Sequence, residues 1–516
     1  MSFDSTCKWL HEDVLGKATT LKQCKRDGQI PAALERIDQL NKLSYPVERA
    51  TEGEYLPKLP DLQEGAIHVL SAGMNSGKTR QIGVDWVKAA KALDWHILVL
   101  TPLNSLGQQA ANNWELPHIH SVSRNAERVL WEDVRKQQGV VMCPDSFQRL
   151  PQWFRQKPIL LILDEVNQVI EHISEGDTLG DRWVAIQENF AAISQHAIQL
   201  GAIVLSEDGI PDRAVNFIKE VSGGKIVRVF THRKQGVPWD TTVLSGQVSG
   251  FRTRLLERAK QGKRLLIVTS SQLEAKRTDR AISEIAPSLK VVRIDSETNE
   301  QGKFKSFFET PDCWLNANQP DILILSPSAR SGVSIEGGVS IENAYFDSVW
   351  GYFPALATDT HWQLLGRYRP SVPRFIFIPP FILSNGAESL RNPRAIKRRL
   401  KSNAMAIANV YGLSESLSAF DNRAGATAHI EYAVLDYLAV SRAVTGSQKL
   451  IAYHALVSRL EEAGHFVREE KLCKDSETIT FWKTIQEAIW REDASTYAEI
   501  ALDGSEHHRL GMATAR

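Results

Sequence analysis

From Gly65 onward the chain alternates short apolar runs with amphipathic stretches of helical length. AIHVLS at 66–71, HILVLT at 96–101, GVVMC at 139–143, ILLIL at 159–163 and AIVLS at 202–206 each hold a few aliphatic positions and end in small or acidic residues. Runs of that length without strict alternation predict strands buried on both faces. Stretches 79–93 and 180–199 have the length and period of helices. Strand alternating with helix predicts a parallel sheet with right-handed crossovers. The pattern then starts again with RLLIVT at 264–269, KVVRI at 290–294, DILIL at 321–325 and RFIFI at 374–378. Segment 231–250 is rich in turn formers and predicts the junction. Beyond PPFILSNG at 379–386 the periodicity is helical, with few strand signals. The chain therefore divides into a helical N-terminal extension (1–54), an α/β lobe (55–235), a second α/β lobe (236–385) and a helical C-terminal region (386–516).

Length agrees with several units, since 516 residues exceed what one hydrophobic core serves. Lys plus Arg and Asp plus Glu number 61 each, so any polyanion must be held by a local groove and not by net charge. Cys7, Cys24, Cys143, Cys313 and Cys473 form no CxxC pair and no metal-ligand spacing with histidine. The N-terminal residues carry charges where a signal peptide needs an apolar run, and no window reaches the roughly 18 apolar residues of a membrane span. The expectation is a soluble, cytoplasmic protein in a reducing compartment, with no membrane partner.

Two segments carry chemistry. Residues 67–79, IHVLSAGMNSGKT, run from an apolar strand through small residues into a helix start. This is the layout of a P-loop, in which backbone N–H groups and a helix N-terminus cradle phosphates. Ala72, Gly73, Asn75, Ser76 and Gly77 would form the cradle, Lys78 would neutralise the β/γ phosphates, and the Thr79 hydroxyl would ligate Mg²⁺. Ala72 stands where the pattern normally opens with glycine. About 85 residues later ILLILDE, at 159–165, ends a buried strand in two carboxylates. Asp164 would hold Mg²⁺ and Glu165 would orient and deprotonate the attacking water. Taken singly, the first segment could be a Gly-Ser turn and the second a helix-capping acid pair. Together they predict a P-loop NTPase using ATP and Mg²⁺.

HWQLLGRYR at 361–369, just ahead of an apolar strand, resembles the sixth motif of superfamily 2 helicases. That resemblance implies two tandem RecA-like parallel-sheet lobes, with Gln363, Arg367 and Arg369 reaching the γ-phosphate. The family's last arginine falls one residue further on, so either Arg367 or Arg369 could be the finger. Other stations follow in the family's order. LVLTPLNSL at 98–106 resembles motif Ia, with Thr101, Asn104 and Ser105 toward a sugar-phosphate backbone. VMCPDSF at 141–147 takes the next DNA-contacting position, with Asp145 and Ser146 at its tip. VLSEDGIPD at 204–212 stands at motif III, with Ser206, Glu207 and Asp208 in place of the common Ser-Ala-Thr. LIVTSS at 266–271, with Thr269 and Ser270, resembles motif IV; ILSPSARSGVSIEG at 324–337, with Ser326, Gly332 and Ser334, resembles motif V. Each alone is a strand-to-loop junction; their order carries the resemblance.

The DEVN tetrad at 164–167 together with the motif V and VI segments is closest in style to viral origin-binding and plasmid or phage replication helicases. That implies a nucleic-acid partner, DNA in preference to RNA, and replication proteins as further partners. RNPRAIKRRLK at 391–401 places Arg394, Lys397, Arg398 and Lys401 at i, i+3, i+4 and i+7, one basic stripe if helical. The stripe suits a phosphate backbone; the other reading is a solvated charged face. Trp350, Tyr352 and Phe353 fit packing better than base stacking. The function expected is an ATP-dependent helicase or translocase. A duplex-DNA translocase without unwinding and a non-motor ATP switch remain open.

Overall fold

The structure, a computed structural model, describes residues 28–121, 127–176, 179, 182–299, 302–327, 333–336, 344–384, 386–410 and 426–503. Two compact units are present: residues 1–237 with 381–455, and residues 238–380 with 456–516.

The first unit is built on seven strands: β1 (Val47–Gly53), β2 (Ala66–Ala72), β3 (His96–Leu100), β4 (Gly139–Met142), β5 (Ile159–Asp164), β6 (Ala202–Glu207) and β7 (Ile226–Lys234). Their order across the sheet is β1-β7-β2-β6-β5-β3-β4, and every pairing is parallel. The β2–β6 and β5–β6 registers match Ser71 with Glu207 and Asp164 with Ser206, so three strand ends that carry candidate chemistry finish together. Alternate residues of β2, β3, β5 and β6 feed apolar clusters on both faces, which is why these strands read as unbroken apolar runs.

The second unit repeats the plan with β8 (Asp240–Gly246), β9 (Leu265–Thr269), β10 (Val291–Ile294), β11 (Ile322–Leu325), β12 (Ser348–Tyr352), β13 (Arg374–Phe377) and β14 (Phe466–Leu472). The order is β10-β11-β9-β12-β13-β8-β14, again wholly parallel. Both units are RecA-like lobes: parallel sheets covered by helices, each ending its strands at one edge.

Two elements differ from the sequence expectation. Residues 47–53, read as helix and turn, form the edge strand β1, and residues 466–472, within the region read as helical, form the edge strand β14. Both strands lie mostly exposed and pair on one side only, so VERATEG and FVREEKL have no need of an apolar alternation. The C-terminal helices are otherwise as expected, and they are structural parts of the lobes. Helix Ala426–Leu450 sends Ala433, Val434, Tyr437 and Leu438 into the first lobe's core. Helix Ser476–Asp503 sends Trp482, Ile485 and Ile489 into the second. Burying a side chain of that size contributes about 1.5–3 kcal/mol. Trp350 and Phe353 are likewise buried, as packing residues. Among the described residues no helix is long and apolar enough to cross a membrane.

Candidate functional site

Strand β2 emerges from the middle of the first sheet into a loop that takes two left-handed residues, Asn75 at φ +59° and Gly77 at φ +81°. A Cβ at Gly77 would meet only the Tyr55 ring at 3.7 Å, so the backbone angle, and not space, demands glycine there. Helix Lys78–Ile82 starts at the next residue, which aims its first N–H groups into the loop. The Lys78 ammonium is folded onto the loop itself, donating to the Ala72 carbonyl at 2.7 Å and the Gly73 carbonyl at 3.2 Å. A phosphate arriving here competes with two neutral carbonyls for a cation, a contest the anion wins. The Ser76 hydroxyl is buried without a hydrogen-bond partner. Thr79 is fixed from outside: the Trp114 indole donates to its carbonyl at 2.6 Å. The helix passes through a π turn, Gly83–Val87, directly beneath this contact.

Asp164 ends β5 and Glu165 follows it in the left-handed region (φ 59°, ψ 57°), a costly conformation for a residue with a side chain. The Glu165 N–H donates to the Ser206 carbonyl at 2.8 Å and so holds the turn. Burial and the neighbouring Glu165 charge push the Asp164 carboxyl up to about 6, and Lys78 offsets only part of this. Glu207, at the end of β6, is pushed well above the usual carboxylate range by burial and then by Glu165. Both donors on Glu207 come from Asn167: its backbone N–H at 2.8 Å and its side-chain amide at 2.7 Å, on the same oxygen. The last residue of the DEVN tetrad is thereby tied to the Ser-Glu-Asp segment. Sequence reasoning marked Glu207 as a station but assigned Asn167 no partner. Their link joins positions 40 residues apart and leaves no local signal.

Sequence reasoning also missed Tyr55. It is 63% exposed and lies beside Gly77, and the adjacent Leu56 N–H donates to the Ser76 carbonyl at 2.8 Å.

In the second lobe Gln363 lies half-buried on helix Thr358–Leu365. The following turn is zipped to the motif V segment: Ile335 N–H donates to the Arg367 carbonyl at 2.8 Å and Arg369 N–H to the Ile335 carbonyl at 2.9 Å. Arg367 donates through Nη1 to the Val333 carbonyl at 3.0 Å. Arg369 donates through Nε to the Ser334 hydroxyl at 2.8 Å and through Nη1 to the Gly366 carbonyl at 3.0 Å. Burial lowers the Arg369 guanidinium from its ordinary value. Arg374, fully buried at the start of β13, caps the carbonyls of Tyr368, Pro370 and Val372 and fixes the turn from behind.

Five of the residues expected to touch nucleic acid are buried. Thr101 is buried and its hydroxyl donates to the Leu103 carbonyl at 3.1 Å. Asn104 is exposed and accepts from the Cys143 thiol at 3.2 Å; Ser105 is the next residue of the same helix. Ser146 is buried in a 3₁₀ turn. Thr269 and Ser270 are buried, accepting from the N–H groups of Ser271 and Ala355. Ser326 is buried at the end of β11. Gly332 lies outside the described residues. The basic stripe is helical, on Pro393–Val410, but divided. Arg394 and Arg398 are exposed, Lys397 pairs with Asp436, and Lys401 lies 4.9 Å from the Tyr432 ring.

No protein-family model matches the sequence. The chain is 25% identical over 372 residues to an uncharacterised protein of Picosynechococcus sp., covering 68% of this chain and 36% of that protein. It is 27% identical over 218 residues to a putative helicase/primase complex protein of African swine fever virus, covering 41% of this chain and 19% of the viral protein. The chain spans little more than a third of the first of these curated relatives and about a fifth of the second. Among solved structures, helicase Lhr of Mycobacterium smegmatis, bound to ssDNA and AMP-PNP, aligns at TM-score 0.42 and 14% identity, covering 60% of this chain and 43% of that one. The DEAD-box helicase Mss116, bound to ssRNA and UDP-BeF, aligns at TM-score 0.44 and 12% identity, covering 78% and 90%.

Proposed function

We propose that the protein is an ATP-dependent nucleic-acid helicase or translocase, acting on DNA in the replication of a plasmid, phage or similar element. The observation that carries the reading is the convergence of β2, β5 and β6. The loop that leads to Lys78 leaves the end of one, Asp164 and Glu165 stand at the end of the next but one, and Glu207 on the strand between. The viral helicase/primase relative supports the nucleic-acid part.

ATP would lie along the loop Ala72–Thr79, its phosphates on the backbone N–H groups and Lys78. The donor set fits Mg²⁺: the Thr79 hydroxyl and the Asp164 carboxylate are hard oxygens, and a cation that keeps waters and phosphates needs no more from the protein. Bound there, the ion would screen charge on the transferred phosphoryl group. Glu165, held rigid by its strained turn, orients and deprotonates water. Tyr55, exposed beside the loop, offers its face to the base. The motif VI resemblance implies that Arg367 or Arg369 supplies the guanidinium for developing charge. Arg394 and Arg398 contribute backbone-directed cations.

The test is steady-state ATP hydrolysis by the wild type and Lys78→Ala, with and without single-stranded DNA, duplex DNA and RNA. Stimulation by a polymer, lost in the mutant, is expected, with single-stranded DNA the strongest. Stimulation by duplex alone would favour a translocase that does not unwind. Hydrolysis indifferent to every polymer would reject the motor and leave an ATP-controlled switch.

A further inference from the structure

The hydroxyl of Tyr437 is the one polar atom that the C-terminal helix Ala426–Leu450 brings to the DEVN tetrad among the described residues. It lies 3.0 Å from the Asn167 carbonyl and 3.1 Å from the Asn167 side-chain oxygen, its single proton shared between the two acceptors. The ring is 2% exposed and packs against Phe217 at a centroid distance of 5.7 Å, so the hydroxyl has little freedom and no bulk water to turn to. On its other side the Asn167 amide nitrogen donates to Glu207. An amide has one oxygen and one NH₂ end, and here each end faces the partner it needs. A hydroxyl proton directed at the oxygen keeps the NH₂ end on Glu207.

The same helix is anchored one turn further along. Arg213 donates through Nε to the Ser441 hydroxyl at 3.1 Å, and through Nη1 to the Leu40 carbonyl at 3.0 Å and the Asn41 side-chain oxygen at 2.8 Å. Polar contacts therefore run from the end of helix Ile30–Asn41, through Arg213 and helix Ala426–Leu450, to the residue two places beyond Glu165. Apolar packing alone would have seated this helix; it has no packing need for a buried hydroxyl aimed at the tetrad.

We infer that Tyr437 is a positioning residue for the hydrolytic site, acting through Asn167 on Glu207 and hence on the strand ends that carry Asp164 and Glu165. The C-terminal helix is then part of the ATPase, and a displacement of that helix changes turnover without touching the nucleotide. This rests on the proposed ATPase reading. Tyr437→Phe keeps the ring and removes only the hydroxyl.

In the full chain, Tyr437→Phe is expected to lower kcat for ATP about three- to ten-fold, the size of one buried hydrogen bond felt in the transition state, with KM for ATP unchanged. Added to Asn167→Ala, which already severs the link to Glu207, it should cost nothing further. An unchanged kcat in Tyr437→Phe would overturn the inference, as would an equal loss in both backgrounds. A rise in KM matched by no loss in kcat would also do so, since that is a binding effect. Glu165→Gln separates the two levels. If it leaves hydrolysis intact, the ATPase reading itself fails; if it abolishes hydrolysis while Tyr437→Phe is neutral, only the role of Tyr437 falls.

Discussion

Gly83→Ala tests how the P-loop helix is braced. Gly83 opens the π turn, and a Cβ built there would lie 2.5 Å from Trp114 Cδ1 and 2.8 Å from Trp114 Nε1. No rotation of an alanine methyl relieves such a contact, so the indole must move. Trp114 is 4% exposed and packed on the face of the first lobe that includes Ile82, Trp86 and Val87, which leaves it little room. Overpacking of this kind costs about 1–3 kcal/mol. Moving the ring also breaks the 2.6 Å hydrogen bond to the Thr79 carbonyl, for about 1 kcal/mol more. Alanine returns about 0.5–1 kcal/mol over glycine in a helix. The net expectation is a loss of about 1–3.5 kcal/mol, with weaker ATP binding because Thr79 is released. Thermal unfolding with and without nucleotide measures both. Trp114→Leu supplies the other side of a double-mutant cycle: with the indole gone, Gly83→Ala should be neutral or stabilising. A cost of the same size in both backgrounds, or a stabilised Gly83→Ala single mutant, would refute the steric argument.

Three further outcomes are expected. His68, fully buried on β2, is lowered by burial to about 4 from 6.5. A depressed folded value gives stability that is present above pH ~6.5 and lost as pH falls toward 4, about 2–3 kcal/mol of it by pH 4.5. Denaturant titrations at several pH values should show that acid limb flattened in His68→Phe; an unaltered limb would assign the loss to other groups. Glu165→Gly should raise stability by about 0.5–1 kcal/mol, the relief of a left-handed residue less the entropy cost of glycine, while abolishing turnover. Glu165→Gln should abolish turnover with no such gain, and equal stability of the two variants would deny the strain. Of Arg367→Ala and Arg369→Ala, the one that removes the finger should lower kcat at least a hundred-fold, and Arg369→Ala should also cost about 1–3 kcal/mol of stability through the lost Ser334 and Gly366 contacts. Single-turnover assays of both variants assign the finger, and full activity in both would refute the role.

Much was legible along the chain because it was local. The apolar runs at 66–71, 96–101, 139–143, 159–163 and 202–206 all became central strands of the first sheet or its covered flank, since burial on both faces writes itself into consecutive residues. The strand–loop–helix passage into Lys78 and the strand end at Asp164-Glu165 were legible for the same reason, a strand end and a turn being set by neighbours in sequence. The edge strands β1 and β14 were not, because a strand paired on one side and open to water needs no apolar pattern. The nucleic-acid residues show a different gap. Thr101, Thr269 and Ser270 have the polarity expected of a contact surface, yet each is buried. Polarity says that a side chain needs a hydrogen bond and not who supplies it.

What the sequence by itself determined is the class of the chain: alternating elements, two parallel sheets, and a strand–loop–helix passage followed by a strand that ends in paired carboxylates. The tertiary structure alone decided which distant groups complete each site. Asn167 meets Glu207 across 40 residues and Tyr437 across 270. Ser334 engages Arg369 across 35. Such contacts depend on strand order and helix packing, which bring residues together with no trace in local periodicity. Folding places them; composition and spacing could not.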